Sequence, residues 1–383
     1  MIIETSVIYG RKILGGIARY LRSHHRWSVF VEQRELGAAP PDWLFAGKWD
    51  GILTRPTTPE LAALFRKMKV PVVDLNDLHD DLGLPWVGSD HRAIGRLGAE
   101  HLLERGYRNF AYAGFSNELW SAERREGFTA TIEARGFPVA IYESPWRGRD
   151  VPQWDADSAE IVRWLKSLSQ PLAVMACNDA RGLRVLEACA RADILVPEQV
   201  AVLGVDDEEI LCELCSPPLS SVEPDPERIG YVAAELLDAM MAGNLPTRSR
   251  IQVLPVRVVA RRSTEALAIE DRVVAMAMRY ILEQAAFGCT VEDVRRQVGV
   301  SRSVLERRFR QQLKRSPQAA IRAAQLARIK QLLAETNFTL EQIAERCGIE
   351  HAEYLSVMFK RLTGSTPGEY RRSLHKHPKR RTA

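Results

Sequence analysis

Two stretches in the last third of the chain repeat one another, and this repeat restricts the possible folds of that region more than any other feature. Thr290-Val291-Glu292-Asp293-Val294 and then Val298-Gly299-Val300 match Thr339-Leu340-Glu341-Gln342-Ile343 and then Cys347-Gly348-Ile349 at a constant offset of 49. Beyond the glycines the offset is 50: Leu305 pairs with Leu355, Phe309 with Phe359, Arg310 with Lys360, and Ser316-Pro317 with Thr366-Pro367. One inserted residue after the second glycine explains the change. Each copy has the chemistry of helix, tight turn, helix. Thr290 and Thr339 suit N-caps, with Asp293 and Gln342 three residues on to close capping boxes. Gly299 and Gly348 make the turns. Val294 and Val298, Ile343 and Cys347, Leu305 and Phe309, and Leu355 and Phe359 stand four apart, so each helix has one apolar stripe to pack.

The other face of each second helix is left for a partner. In the first copy it carries Arg302, Ser303, Glu306, Arg307 and Arg310, a set able to contact phosphates and base edges in a major groove, with Arg307 first among them for base reading. In the second copy His351, Glu353, Ser356 and Lys360 correspond, Lys360 as a phosphate contact. Charge points the same way. From Asp271 to the end there are 22 Lys and Arg against 11 Asp and Glu, leaving 31 against 38 in the rest, so a basic module of net +11 joins an acidic one of net −7. That asymmetry suits a polyanion-binding domain carried by a domain with another task.

Before this region, apolar runs of strand length alternate with amphipathic stretches of helix length, the pattern of parallel βαβ units. Strands are expected at Ser6 to Tyr9, Ser28 to Glu32, Gly51 to Thr54, Val70 to Asp74, Asn109 to Gly114, Leu172 to Ala176 and Val200 to Val205, with Ile251 to Val259 also strand-like. Helices are expected at Ile13 to Ser23, Pro59 to Lys67, Ala93 to Arg105, Ala122 to Arg135, Ala156 to Leu168, Ala180 to Arg191 and Pro226 to Met241. The length suits two doubly wound halves, and in such sheets ligands sit beyond the carboxyl ends of the strands. Polar pairs stand there: Tyr9 and Arg11, Ser89 and Asp90, Asn178 and Asp179, Asp206 and Asp207. Planar polar side chains with an aromatic ring suit a neutral sugar. Each Asp or Asn also suits an N-cap.

Gly88-Ser89-Asp90, the run from Ser121 to Phe128, Ala176-Cys177-Asn178-Asp179 and Gly204-Val205-Asp206-Asp207 resemble, in order and spacing, the sugar-binding domains of the LacI/GalR type. The resemblance implies ligand contacts from Arg124 and Asp206, and from Asn178 or Asp179 between them. The DNA-binding headpiece that precedes such domains is not expected here, since Met1 stands a few residues before the first strand. The repeat, joined by the amphipathic stretch Pro317 to Glu335 and closed by Thr366-Pro367-Gly368-Glu369-Tyr370-Arg371, resembles the DNA-binding domain of the AraC family. That resemblance implies two helices entering successive major-groove segments on one face of DNA.

Together the two resemble the layout of bacterial xylose operon regulators, as do Trp120-Ser121-Ala122-Glu123-Arg124, Asp206-Asp207-Glu208-Glu209 and the junction Pro255 to Thr264. The implied fold is an α/β two-lobed periplasmic-binding-protein-like domain of parallel doubly wound sheets over residues 1–265. An all-α domain with two helix-turn-helix units, about 290–313 and 339–363, follows over 266–375, with a basic tail at 376–383. The implied ligand residues are Tyr9, Arg11, Asp90, Trp120, Arg124, Asn178, Asp179 and Asp206. Implied partners are an operator duplex, a sugar effector, D-xylose or another monosaccharide, RNA polymerase if the chain activates, and a second copy of the chain. The acidic cluster and Trp120 also suit helix capping and core packing.

Other classes fit poorly. A sugar enzyme using Asp90, Asp206 or Asp207 lacks a glycine-rich phosphate loop, metal-ligand spacing and a nucleophile elbow, and no cofactor is implied. A transport binding protein would need an export signal, and the start has no basic segment or cleavage site, so a cytoplasmic location is expected. The six cysteines, spread over a large chain, read as reduced thiols. Cys212 and Cys215 have C-x-x-C spacing, but their neighbours Ile210, Leu211 and Leu214 suit a core-facing turn better than a metal or redox site.

Overall fold

The computed structural model describes residues 1–24, 27–31, 40, 42–146, 153–244, 250–265, 271–284 and 287–375; Glu32 and the basic tail lie outside the described residues. The chain divides into two compact units, Met1–Leu103 with Arg108–Glu265, and Glu104–Tyr107 with Ala266–Ala383.

The first unit has two lobes. One begins with the buried pair Ile2 and Ile3, α1 (Ile8–Ser23) and the short α2 (Trp43–Ala46), followed by β1 (Ile52–Thr54), α3 (Pro59–Met68), β2 (Val72–Asp74) and β3 (Trp86–Ser89). The chain crosses to the second lobe with α4 (His91–Glu104), β4 (Asn109–Ser116), α5 (Leu119–Glu133), β5 (Val139–Pro145), α6 (Trp154–Lys166), β6 (Leu172–Ala176), α7 (Asp179–Arg191), β7 (Val200–Val205), α8 (Glu209–Leu214) and β8 (Ser220–Glu223). It returns for α9 (Pro226–Met241) and β9 (Arg250–Val253), then crosses once more to β10 (Arg257–Val259). The sheets run β1-β2-β3-β9, all parallel, and β10-β8-β7-β6-β4-β5, parallel except for β10 on β8. Central strands such as β6 and β7 are buried along their whole length, because helices cover both faces of a parallel sheet.

Several expected strands differ. Ser6 to Tyr9 is not a strand: Ile2 bridges Thr54, residues 5–7 turn, and Tyr9 already lies in the first turn of α1. The buried apolar pair is Ile2-Ile3, and the polar Thr5-Ser6 ends the extended run. Residues 28–31 form no ladder. Ile251 to Val259 is two strands in different sheets, parted by Leu254-Pro255-Val256, since the proline cannot donate to a ladder. The strands β3, β5 and β8 were not anticipated. The serines of β8 hide a buried strand because their hydroxyls are satisfied: Ser220 Oγ donates to Arg261 O and Ser221 Oγ to Asp179 Oδ1.

Cys212 and Cys215 pack in the second lobe's core, where burial pushes both thiols up, Cys215 to about 11. Their neighbours depart from expectation: Ile210 and Leu214 point outward, 75% and 78% exposed.

The second unit is helical over its described residues: α10 (Arg272–Gln284), α11 (Val291–Val298), α12 (Arg302–Leu313), α13 (Pro317–Glu335), α14 (Leu340–Arg346), α15 (Ala352–Thr363) and α16 (Pro367–His375). It has two cores. Val294, Leu305 and Phe309 pack with α10, and Ile343, Cys347, Leu355 and Phe359 form the second set. The helix α13 serves both, giving Ala320 and Ile321 to the first and Ile329, Leu332 and Leu333 to the second. Each fully buried Leu, Ile or Phe is worth about 1.5–3 kcal/mol, which stabilises two half-domains too small to fold on caps alone.

Candidate functional sites

Side chains from the ends of both sheets of the first unit come together, with Tyr9 and Asp77 of one lobe beside Arg124 and Asp206 of the other. Arg124 sits one turn into α5 with its side chain 4% exposed. Its Nη1 donates to Cys177 O at 2.5 Å, its Nη2 to Asp206 Oδ1 at 3.2 Å, and its Nε to His91 Nδ1 at 3.3 Å. A guanidinium only donates, so His91 Nδ1 must accept and the proton sits on Nε2. Burial, then Arg124, lowers the His91 pKa to about 3, and the ring is neutral. Burial pushes Asp206 up and Arg124 opposes it.

Asp206 has φ 108° and Asp207 φ 46°, a left-handed stretch that costs non-glycine residues about 1–3 kcal/mol and collects at functional sites. The Asp207 carboxylate takes Arg261 Nη1 at 2.8 Å, while its backbone oxygen accepts Lys12 Nζ of the other lobe at 3.4 Å.

From the first lobe, Tyr9 Oη and Ser89 Oγ share a hydrogen bond of 2.8 Å, and Arg55 lies over the Tyr9 ring at 4.9 Å. Arg55 bridges Glu4 and Asp77, the latter at 2.7 Å. Against burial, which would raise it, the Arg55 charge holds Asp77 below the usual carboxylate range. An aromatic wall completes the second lobe's side. Trp146 stacks on Phe115 at 5.2 Å and meets Trp120 edge-on at 5.7 Å, and Arg124 lies 5.0 Å over Trp120. Among the described residues, three of the buried polar atoms without a hydrogen-bond partner belong to this group: His91 Nε2, Arg55 Nε and Glu4 Oε2.

The anticipated ligand residues separate in this geometry. Tyr9, Trp120, Arg124 and Asp206 belong to one electrostatic and aromatic network. Arg11 is exposed and reaches the Thr5 and Ser6 carbonyls at 2.8 and 3.0 Å. Asp90 Oδ1 accepts from Ala93 N at 2.8 Å at the start of α4, and Asn178 Oδ1 caps α7 through Arg181 N at 2.9 Å. Asp179 is buried, with Ser221 Oγ at 2.6 Å and Glu208 N at 2.8 Å on its carboxylate. Arg55, Asp77 and His91 were missed. They follow β1, β2 and β3, so the rule of looking just beyond each strand finds them once it is applied to every strand.

In the second unit both capping boxes are formed, Thr290 with Asp293 and Thr339 with Gln342, and Gly299 and Gly348 turn at φ 67° and 61°. Arg302, Ser303, Arg307 and Arg310 are exposed on α12, with Glu306 half-buried and 3.4 Å from Arg302. Arg308 turns back to Asp271 at 2.9 Å. On α15 and its cap, His351, Glu353 and Lys360 are exposed and Ser356 is half-buried; Tyr354, Val357 and Arg361 share the exposed surface and were not anticipated. Among the described residues no helix is long and apolar enough to cross a membrane.

Residues 99–264 match the periplasmic binding protein-like domain family and residues 285–373 a helix-turn-helix domain family. The chain is 30% identical over 381 residues to the xylose operon regulatory protein of Haemophilus influenzae, covering 97% of each chain. It is also 30% identical to that of Escherichia coli K12, covering 97% of this chain and 96% of the other. Among solved structures, a xylose-binding transcription activator is similar at TM-score 0.61 and 28% identity, covering 97% of this chain and 96% of that one. A transcriptional regulator in complex with cellobiose is similar in fold at TM-score 0.56 and 23% identity, covering 68% of this chain and 82% of that one.

Proposed function

The chain belongs to the family of the xylose operon regulatory proteins, and from that membership we propose that it is a xylose-responsive regulator that binds D-xylose in the Arg124–Asp206 cleft and reads operator DNA through α12 and α15. It is a transcription regulator and not an enzyme. The observation that carries the sugar site is the set of buried, unpaired polar atoms, His91 Nε2, Arg55 Nε and Glu4 Oε2, around a cleft that already holds an Arg–Asp pair and an aromatic wall. A buried donor or acceptor left unpaired costs about 1–3 kcal/mol, and sugar hydroxyls, which both donate and accept, supply the missing partners. The Trp120–Trp146 face offers an apolar surface to the sugar ring.

Tyr9, Arg55 and Asp77 come from one lobe and Arg124, Asp206 and Trp120 from the other, so a sugar held by both sets binds the closed arrangement more tightly. That difference in affinity is what shifts the equilibrium. Closure then repositions paired DNA-binding units so that two half-sites are engaged, with the chain acting as a homodimer on RNA polymerase at pentose-utilisation genes.

Thermal unfolding against a panel of pentoses and hexoses tests this reading. A ligand at 100 times its Kd adds about 2.7 kcal/mol to the folded state. A shift with D-xylose alone that Asp206→Ala removes supports it; no shift with any sugar overturns the sugar assignment and leaves the DNA-binding unit standing.

A further inference from the structure

The two helix-turn-helix units are unlike in charge although they repeat in shape. Residues 291–313 carry six arginines against three acids, while residues 340–363 carry three basic residues against four acids. In the second unit Glu341, Glu345, Glu350 and Glu353 line a depression along the turn, a surface that repels phosphate. Its second helix instead exposes two large apolar side chains, Tyr354 at 54% and Val357 at 68%. They stand three residues apart, with Lys360 and Arg361 a further three and four residues on, so all four share one outward face.

The repeat fixes what Val357 corresponds to. At the offset of 50 that holds past the glycines, Val357 occupies the position of Arg307, each the sixth residue of its helix. An arginine there suits the acceptor edge of a guanine, whereas a valine has no hydrogen bond to give; the one feature of a major-groove edge that rewards an apolar group is the thymine methyl. We infer that the two units divide the reading of the operator, the first by charge and hydrogen bonds through Arg307, the second by apolar contact of Val357 and Tyr354 with thymine methyls, anchored by Lys360 and Arg361. The inference rests on the DNA-binding reading above.

The test uses the full-length protein with D-xylose present and the duplex it recovers from a randomised library. Replacing thymine by deoxyuridine, one position at a time, removes only the methyl. Burying one methyl-sized group corresponds to about a fourfold change in affinity. The expected result is about a fourfold loss at one or two thymines confined to one major-groove segment, absent in Val357→Ala, together with a preference for guanine at the same position in Val357→Arg. The position is exposed and both substitutes are good helix formers, so folding is preserved. Equal affinity for every deoxyuridine duplex, or unchanged methyl sensitivity in Val357→Ala, overturns the inference while DNA binding stands. Failure to recover any duplex overturns the DNA-binding reading and this one with it.

Discussion

The Arg124 guanidinium and the Asp206 carboxylate meet at 3.2 Å with the arginine almost wholly buried, and the same guanidinium also holds His91 and the Cys177 carbonyl. Removing one member of such a pair leaves the other as an uncompensated charge. Arg124→Met should therefore cost about 3 kcal/mol, the low end for a buried pair because Asp206 keeps some solvent contact. Arg124→Lys keeps the charge but not the fork that reaches three acceptors, so it should cost less in stability and still abolish the sugar-induced shift. Urea unfolding with and without D-xylose separates the two effects. Equal stability of Arg124→Met and the parent would show that the pair is not formed in solution.

Asp206 was legible as part of the acid pair after an apolar strand, and Arg124 was reached through the resemblance carried by the Glu-Arg-Arg-Glu-Gly-Phe run. Arg55 and Asp77 were passed over although the strands before them, Gly51 to Thr54 and Val70 to Asp74, were expected, whereas His91 follows β3, which contains a glycine and was not expected. Asn178 and Asp179 looked equally good. A capping Asn and a ligand-binding Asn have the same sequence context, and the structure adds that Oδ1 of Asn178 accepts from Arg181 N at the start of α7. The helical repeat was the most legible part, since its caps, turns and apolar stripe are all short-range. Tyr354 and Val357 escaped because apolar residues at helical spacing read as core unless the direction of the stripe is known.

Asp179 makes stability depend on pH. Burial, then the neighbouring Asp206 charge, pushes its pKa up to about 8, against about 3.9 in an unfolded chain. Between those values the folded protein keeps a proton that the unfolded chain releases. The contribution of this group is complete below about pH 4 and is lost as pH rises through about 8. Asp179→Asn cannot titrate, so its denaturant midpoint relative to the parent should rise between pH 5 and about 7.5, by roughly one tenfold change in folding equilibrium for each pH unit, and level off above about 8. A constant difference would place the carboxylate in its ionised form throughout.

Exposed cations on the recognition helices should separate by salt dependence. Arg310→Ala and Lys360→Ala, if each removes one phosphate contact, should each lower the slope of log affinity against log salt by about 0.9 without changing which base pairs are preferred. Arg307→Ala should instead cost about 1–3 kcal/mol at the preferred site and relax the choice at one base pair. Binding titrations at several salt concentrations on preferred and mismatched duplexes provide both numbers. A specificity loss from Lys360→Ala, or an unaltered base preference in Arg307→Ala, would reverse the roles.

The two turn glycines have the same backbone conformation but different surroundings, and this predicts unequal penalties. Gly299 has φ 67° and open space where a Cβ would stand. Gly299→Ala should therefore cost only the left-handed conformation, about 1–2 kcal/mol. Gly348 has φ 61°, and a Cβ there would collide with the backbone of Phe287 and Gly288, which leads into the first helix-turn-helix unit. Gly348→Ala carries the same conformational cost and must also push two backbone segments apart, disturbing how the second turn seats against the first unit's lead-in. Its unfolding free energy should fall by at least twice as much as that of Gly299→Ala. Its loss of affinity should be larger for a duplex carrying both groove segments than for one carrying only the first, because seating both helices at once depends on that contact. Equal losses from the two variants would mean that the Phe287–Gly288 segment gives way without cost, and that α13 alone fixes the spacing of the two recognition helices.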